Sequence, residues 1–227
     1  MPFDDLPSRV EKVREQIAAA VGRGGHGQQV TIVAVTKTHG ADAVRAAWDV
    51  GLKVVGENKP QEALRKMAEI DVPVAWHLIG HLQRNKIKTL DHFALLHSMD
   101  SARLADAVCE HGLARGRAVD ALVQVNTSGE GTKGGFSLEE LPAEAERLTS
   151  RAGVRVTGVM TMAPLDADER VLRAVFADAR RARDVLVAAG HPALELSLGM
   201  SNDFEIAVEE GATMVRLGTI LFGARHA

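Results

Sequence analysis

Val30-Thr31-Ile32-Val33-Ala34-Val35-Thr36-Lys37 is the stretch on which the reading of this chain turns. The first six residues are apolar or β-branched, with no alternation that would leave one face wet. Such a run predicts a strand buried on both sides, as in a parallel sheet covered by helices. It ends on a lysine, so an ammonium is expected where an apolar strand opens to solvent.

Seven further runs of the same kind follow, at Lys53 to Gly56, Val74 to Ile79, Phe93 to Ser98, Val119 to Asn126, Arg155 to Met160, Ala193 to Ser197 and Thr213 to Leu217. Between them lie Ala-, Arg- and Glu-rich segments of helical period. Expected caps are Asn58 with Gln61, Asp100 or Ser101, Ser137 with Glu140, and Ser201. The segment Asp166 to Ala189 carries Val171, Val175, Ala179, Ala182 and Leu186 at helical intervals, and Gly190 supplies a stop. Eight strands and seven crossovers predict an α/β fold, a single (β/α)8 TIM barrel, with residues 1–27 as an extra N-terminal helix outside it or across one end. A doubly wound open sheet is the competing architecture. No stretch resembles an interdomain linker, so residues 1–227 read as one domain.

Composition narrows the function. The chain has 27 basic and 30 acidic side chains and a net charge of −3, which gives no broad field for nucleic acid. The single cysteine, Cys109, has no second thiol for a disulfide or a zinc site. The longest apolar run near the N-terminus, Ile17 to Val21, is too short for a signal or a membrane span, so a cytoplasmic protein is expected. There are 2 Trp and 6 Phe but no Tyr, which removes any mechanism needing a phenol.

In a barrel, chemistry gathers at the C-terminal ends of the strands. Lys37 would stand there, and partial desolvation beside another cation such as Arg216 would free its amine as a nucleophile toward aldehydes. The alternative is a surface lysine just past a strand. Gly199 with Ser201, and Gly218 with Thr219, follow the seventh and eighth strands, a recurring place for a phosphate. Arg216 shares the parity of Met214 and could donate to a ring nitrogen or an anion, or else pair with Glu57 or Asp203. His77 and His81 suggest no metal, because no carboxylate or cysteine completes a ligand set; His77 would line the pocket or satisfy a buried polar group. The basic run Gln83 to Lys88 reads as a solvated helix start that could meet an anionic partner. Asn126 to Gly135 reads as a mobile flap that could carry Lys133 toward a ligand.

An amine at the first strand, an arginine at the mouth and phosphate loops after the last two strands suit pyridoxal 5′-phosphate (PLP), which has an aldehyde, a ring nitrogen and a phosphate. The motifs Ala34-Val35-Thr36-Lys37, Gly56-Glu57-Asn58 with Gln61-Glu62, Trp76-His77-Leu78-Ile79-Gly80 with Leu82-Gln83 and Asn85-Lys86, Leu196 through Ser201, and Met214 through Thr219 with Phe222-Gly223 resemble the pyridoxal phosphate homeostasis protein family. The resemblance implies a barrel similar to the N-terminal domain of alanine racemase, with Lys37 as the Schiff-base lysine. It further implies that Ser201, Gly218 and Thr219 hold the phosphate, that Arg216 faces the pyridine nitrogen, and that Asn58, His77 and Met200 lie close to the cofactor. One departure is visible: the family often has tyrosine after Gly-Glu-Asn, where this chain has Lys59 and Pro60.

The expected function is therefore PLP binding in intracellular PLP homeostasis, with the cofactor released or passed to apo-enzymes or free amino acids by a monomer without robust turnover. The alternatives are a PLP-dependent racemase-like enzyme of low activity, with His77 as its second base, and a cofactor-free aldolase. An arginine at the pyridine nitrogen disfavours its protonation and weakens the ring as an electron sink, and the racemases of this barrel type add a tyrosine and a second domain.

Overall fold

The alternation of buried strands and amphipathic helices resolves into a closed barrel in the computed structural model, which describes residues 3–127 and 134–223. The strands are β1 (Thr31–Val35), β2 (Val54–Glu57), β3 (Ala75–Leu78), β4 (Leu95–Met99), β5 (Val119–Gln124), β6 (Val154–Met160), β7 (Glu195–Ser197) and β8 (Met214–Leu217). They pair in chain order, all parallel, and β8 returns to β1 with Val33 opposite Arg216. This closure excludes the open sheet, in which β1 and β8 would not meet. Each strand overlaps the run from which it was expected.

The helices are α1 (Leu6–Gly24), α2 (Ala41–Asp49), α3 (Pro60–Glu69), α4 (Ala102–Ala114), α5 (Leu141–Thr149), α6 (Glu169–Ala188), α7 (Phe204–Glu209) and α8 (Thr219–Phe222). Between β3 and β4 the chain forms a 3-10 helix, Arg84–His92, in place of an α-helix. The extra N-terminal helix lies outside the barrel. It buries Leu6, Val10, Val13, Ile17 and Ala20, an alternating spacing of four and three that makes one apolar stripe. Arg23 of α1 bonds Glu209 and Glu205 of α7, and Arg173 of α6 reaches Glu209 from the other side, so α7 is held between two helices.

Caps follow the sequence unevenly. Ser101 accepts the N–H of Leu104 at the start of α4, and Ser137 and Glu140 exchange reciprocal bonds in the turn that leads into α5. Asn58 does not cap: α3 begins at Pro60, whose missing N–H suits the first helical position, and Lys59 precedes it. Ser201 does not cap α7 either. That helix starts after Asp203, and the Ser201 hydroxyl instead accepts the N–H of Ile220 in α8 at 3.3 Å.

The two-residue period of the strands separates two apolar regions. Outward residues such as Ala34, Val55, Leu78, Leu96, Val159, Leu196 and Val215 join the helices in the main core. Val33, Leu95, Leu122, Met160 and Met214 form a second, small cluster inside the barrel, with Val54, Ile79 and Met162 packed against it. The interior is narrow between β1 and β2, where a Cβ on Gly56 would come within 2.9 Å of Val33. By the same parity His77 (two before Ile79), His97 (two after Leu95), Ser197 and Arg216 (two after Met214) belong to the inside of the barrel.

Candidate functional site

Lys37 stands two residues beyond β1, half-buried, where the inward parity of Val33 and Val35 reaches the barrel mouth. The backbone on both sides of it is held by an ionic cluster centred on Lys66, a residue that no motif of the sequence singles out. Lys66 of α3 is fully buried and donates to the Thr36 carbonyl at 2.7 Å, to Glu57 at 2.6 Å and to Glu62 at 2.9 Å. Glu62 in turn accepts the N–H of Thr38 at 2.6 Å, and the Thr36 hydroxyl donates to Glu57 at 2.6 Å. Thr36 and Thr38, the two neighbours of Lys37, are thus tied to one ionic cluster. Thr38 has φ +70°, a left-handed conformation that strains a β-branched residue and turns the chain sharply after the lysine. Burial pushes the Glu57 carboxyl up in pKa, against the pull of Lys66 and Thr36, and its Oε2 has no hydrogen-bond partner among the described residues. Glu62 is also partly desolvated, but Lys66 and the Thr38 N–H hold its carboxyl below the ordinary value.

Arg216 lies on the neighbouring strand β8, buried inside the barrel. Its Nη1 donates to the Ser197 carbonyl at 2.6 Å and the Ser197 hydroxyl at 2.7 Å, and its Nη2 donates to the Thr161 carbonyl at 2.9 Å. All three acceptors are neutral, so the ion pair with Glu57 considered from the sequence does not form. Glu57 belongs to Lys66, and Asp203 acts on Arg216 only as a charge that favours the guanidinium. Burial without a bonded counter-ion lowers the Arg216 pKa to about 10.

His77 is buried beside this group. Its Nδ1 lies 2.9 Å from His97 Nε2, and His97 Nδ1 lies 2.9 Å from the Ser197 hydroxyl. A hydrogen-bonded rung therefore crosses the barrel from β8 through β7 and β4 to β3. Burial alone pushes His77 down to about 4, while burial, His77 and Arg216 together hold His97 well below the usual imidazole value. His97 was missed in the sequence because no motif contains it. The available signal was its position: a histidine at the inward parity of an otherwise apolar strand.

Most of the remaining expected residues sit in the loops after β7 and β8, and Asn58 follows β2. Ser201 is drawn to α8 by its bond with Ile220, next to Gly218 and the exposed Thr219. Gly218 has φ −119°, so its conformation does not require glycine, and a Cβ there would touch Val35 at 3.4 Å. Gly199 does need to be glycine, with φ +78° and Ala207 2.6 Å from where its Cβ would sit. Met200 is 38% exposed, and its N–H donates to Asp203. Asn58 is half-buried after β2, and its carbonyl approaches Gly80 so closely that a Cβ there would lie 2.4 Å away. His81 does not join this group; it pairs with Asp100 at 2.8 Å on the surface. Among the described residues no group of His, Cys, Asp and Glu could hold a metal, and no helix is long and apolar enough to cross a membrane. Lys133 and most of the expected flap lie outside the described residues.

Residues 9–226 match the family model described as alanine racemase, N-terminal domain. The pyridoxal phosphate homeostasis protein of Aquifex aeolicus is 40% identical over 221 residues, covering 96% of this chain and 97% of that one. The protein of the same name from Pseudomonas aeruginosa is 40% identical over 223 residues, covering 97% and 96%. Among solved structures, PipY of Synechococcus elongatus PCC7942 matches in a form without PLP, with TM-score 0.87 and 36% identity over 96% of this chain and 100% of that one. Its form with PLP bound matches with TM-score 0.85 and 35% identity, at the same coverage. Alanine racemase from Corynebacterium glutamicum shares the fold with TM-score 0.73 at 16% identity, over 94% of this chain and 62% of its own.

Proposed function

The chain belongs to the family of pyridoxal phosphate homeostasis proteins, and we propose that it binds PLP for storage and transfer, with Lys37 as the amine that takes the aldehyde. The observation that carries this reading is the pairing of a half-buried lysine past β1 with an arginine on β8 that is buried yet bonded, among the described residues, only to neutral oxygens. Bound PLP supplies an electrophilic aldehyde whose covalent link to an amine is reversible.

The protein's residues fit that group in kind. Lys37 is held at the mouth by the grip of Lys66 and Glu62 on its two neighbours. Arg216 can face the pyridine nitrogen as a donor because, among the described residues, no carboxylate is bonded to its guanidinium. Ser201, Gly218 and Thr219 offer a hydroxyl pair and close backbone approach for the phosphate, with Asn58, His77 and Met200 around the ring. Arginine at that nitrogen disfavours ring protonation and makes carbanion chemistry harder than a carboxylate partner would, without by itself forbidding it. The absence of tyrosine from all 227 residues points the same way, since the phenol base of the related racemases has no counterpart. Apo-enzymes and free amino acids are the proposed recipients, and the working form is a cytoplasmic monomer.

The test is borohydride reduction of protein incubated with PLP, followed by peptide mass mapping. The expected result is a pyridoxyl adduct on Lys37, with visible absorbance that Lys37→Ala abolishes. Protein that stays colourless and unmodified overturns the reading. A racemase-like activity would instead appear as solvent deuterium at the Cα of amino acids, above the rate with free PLP.

A further inference from the structure

We propose that the rung Arg216–Ser197–His97–His77 has a fixed direction, which makes His77 a hydrogen-bond donor through Nε2 and removes it as a base. Ser197 and His97 are then positioning residues for His77. The proposal adds proton placement to the PLP-binding reading, but its geometry and its principal test need no cofactor.

The direction follows from counting hydrogens. A guanidinium has donors only, so Arg216 gives a hydrogen to the Ser197 hydroxyl at 2.7 Å. The partners of that hydroxyl among the described residues are Arg216 and His97, and only His97 Nδ1 can accept its single hydrogen, at 2.9 Å. A neutral imidazole carries one N–H, so His97 with an accepting Nδ1 has its hydrogen on Nε2. That nitrogen points at His77 Nδ1 at 2.9 Å and donates to it. His77 Nδ1 is then the acceptor, and the His77 hydrogen sits on Nε2. The rings are centred 5.0 Å apart inside the barrel, where a second charge beside Arg216 would be costly, so both stay neutral. Reversing the chain would leave the Ser197 hydrogen without an acceptor in a buried site.

The consequence for chemistry is specific. A ring whose Nδ1 is occupied and whose Nε2 is protonated offers a ligand one N–H, suited to a phenolate or carboxylate oxygen. It has no lone pair free to accept a proton from a substrate carbon. The racemase-like alternative, which used His77 as the second base, loses that base.

The experiment reads histidine tautomers directly, by long-range 15N–1H correlation on the full-length, cofactor-free protein at pH 7. His77→Asn and His97→Asn assign the two rings among the nine histidines of the chain. The expected result is that both rings are neutral with the hydrogen on Nε2, and remain so down to pH 5. Hydrogen on Nδ1 of either ring, or a doubly protonated ring at pH 7, overturns the proposal. In Ser197→Ala the His97 nitrogens are expected to move toward values averaged over two tautomers, while Ser197→Thr, which keeps the hydroxyl, retains the wild-type pattern. If folded Ser197→Ala leaves both tautomers unchanged, Arg216 and Ser197 do not set the direction and the proposal fails. Should Ser197→Ala not fold, the wild-type and Ser197→Thr spectra still decide. Failure of PLP binding would leave these spectra unaffected, so the two readings fall separately.

Discussion

Two buried cations flank the mouth of this barrel, and they are treated in opposite ways. Lys66, between β2 and α3, is surrounded by two carboxylates and a carbonyl, so its charge is compensated within the fold. Arg216, inside the barrel on β8, bonds only two carbonyls and a hydroxyl among the described residues, with the Asp203 charge acting on it without a bond. A compensated ion is spent on architecture, here on fixing the backbone around Lys37. An uncompensated one keeps its attraction for a ligand, because neutral dipoles orient the guanidinium without cancelling it.

The difference is broken most severely at Lys66. Lys66→Met strands Glu57 and Glu62 without their partner, and the expected loss is about 3 to 5 kcal/mol of unfolding free energy, read by urea denaturation. Glu57→Gln added to that variant is expected to recover part of the loss, because the buried charge is removed as well.

Acid tests the other side. The His77 pKa falls from 6.5 to about 4 in the folded barrel. Between those values the unfolded chain takes up a proton at this ring that the folded chain does not. Stability is therefore complete above about pH 6.5 and declines as the pH drops toward 4, by about 3 kcal/mol for this one group. Denaturation midpoints across that range are expected to show a flatter slope in His77→Asn, and an unchanged slope would contradict the burial seen here.

Arg216→Met is expected to cost less than Lys66→Met, about 1 to 3 kcal/mol, since the acceptors it leaves behind are neutral. Its larger effect is on PLP retention, measured by equilibrium dialysis, with at least a tenfold weakening expected. The smallest change is at Thr38, whose φ of +70° suits glycine. Thr38→Gly is expected to raise stability by up to about 1 kcal/mol, seen as a small rise in Tm. A fall would mean that the threonine side chain contributes more than its strain costs.

The sequence exposed one of these regions far better than the other. The eight strands were legible because each is a short apolar run, and burial on both faces leaves no other pattern for them. Lys37 and Arg216 were legible because strand ends are where a barrel puts its polar groups. Lys66 was not, because a lysine within a helix reads as solvated until the carboxylates from β2 and from the preceding turn of α3 are known to converge on it. His97 was not, because its partners are 20 and 100 residues away and only barrel closure brings them within 3 Å. Ser201 does follow β7, as its place in the sequence implies, but it does not cap the next helix: its hydroxyl accepts the N–H of Ile220 in α8.

The pairing of β8 with β1 has a further consequence. The lysine stands near the beginning of the chain and the arginine near its end, on strands that become neighbours only when the sheet joins itself. No run of consecutive elements short of the whole ring contains both. If PLP is held at both residues, as proposed above, loss of cofactor and loss of ring closure are linked, each favouring the other, and the cofactor would act as a clasp across the seam. Opening at that seam would disperse the pocket while leaving most of the sheet paired.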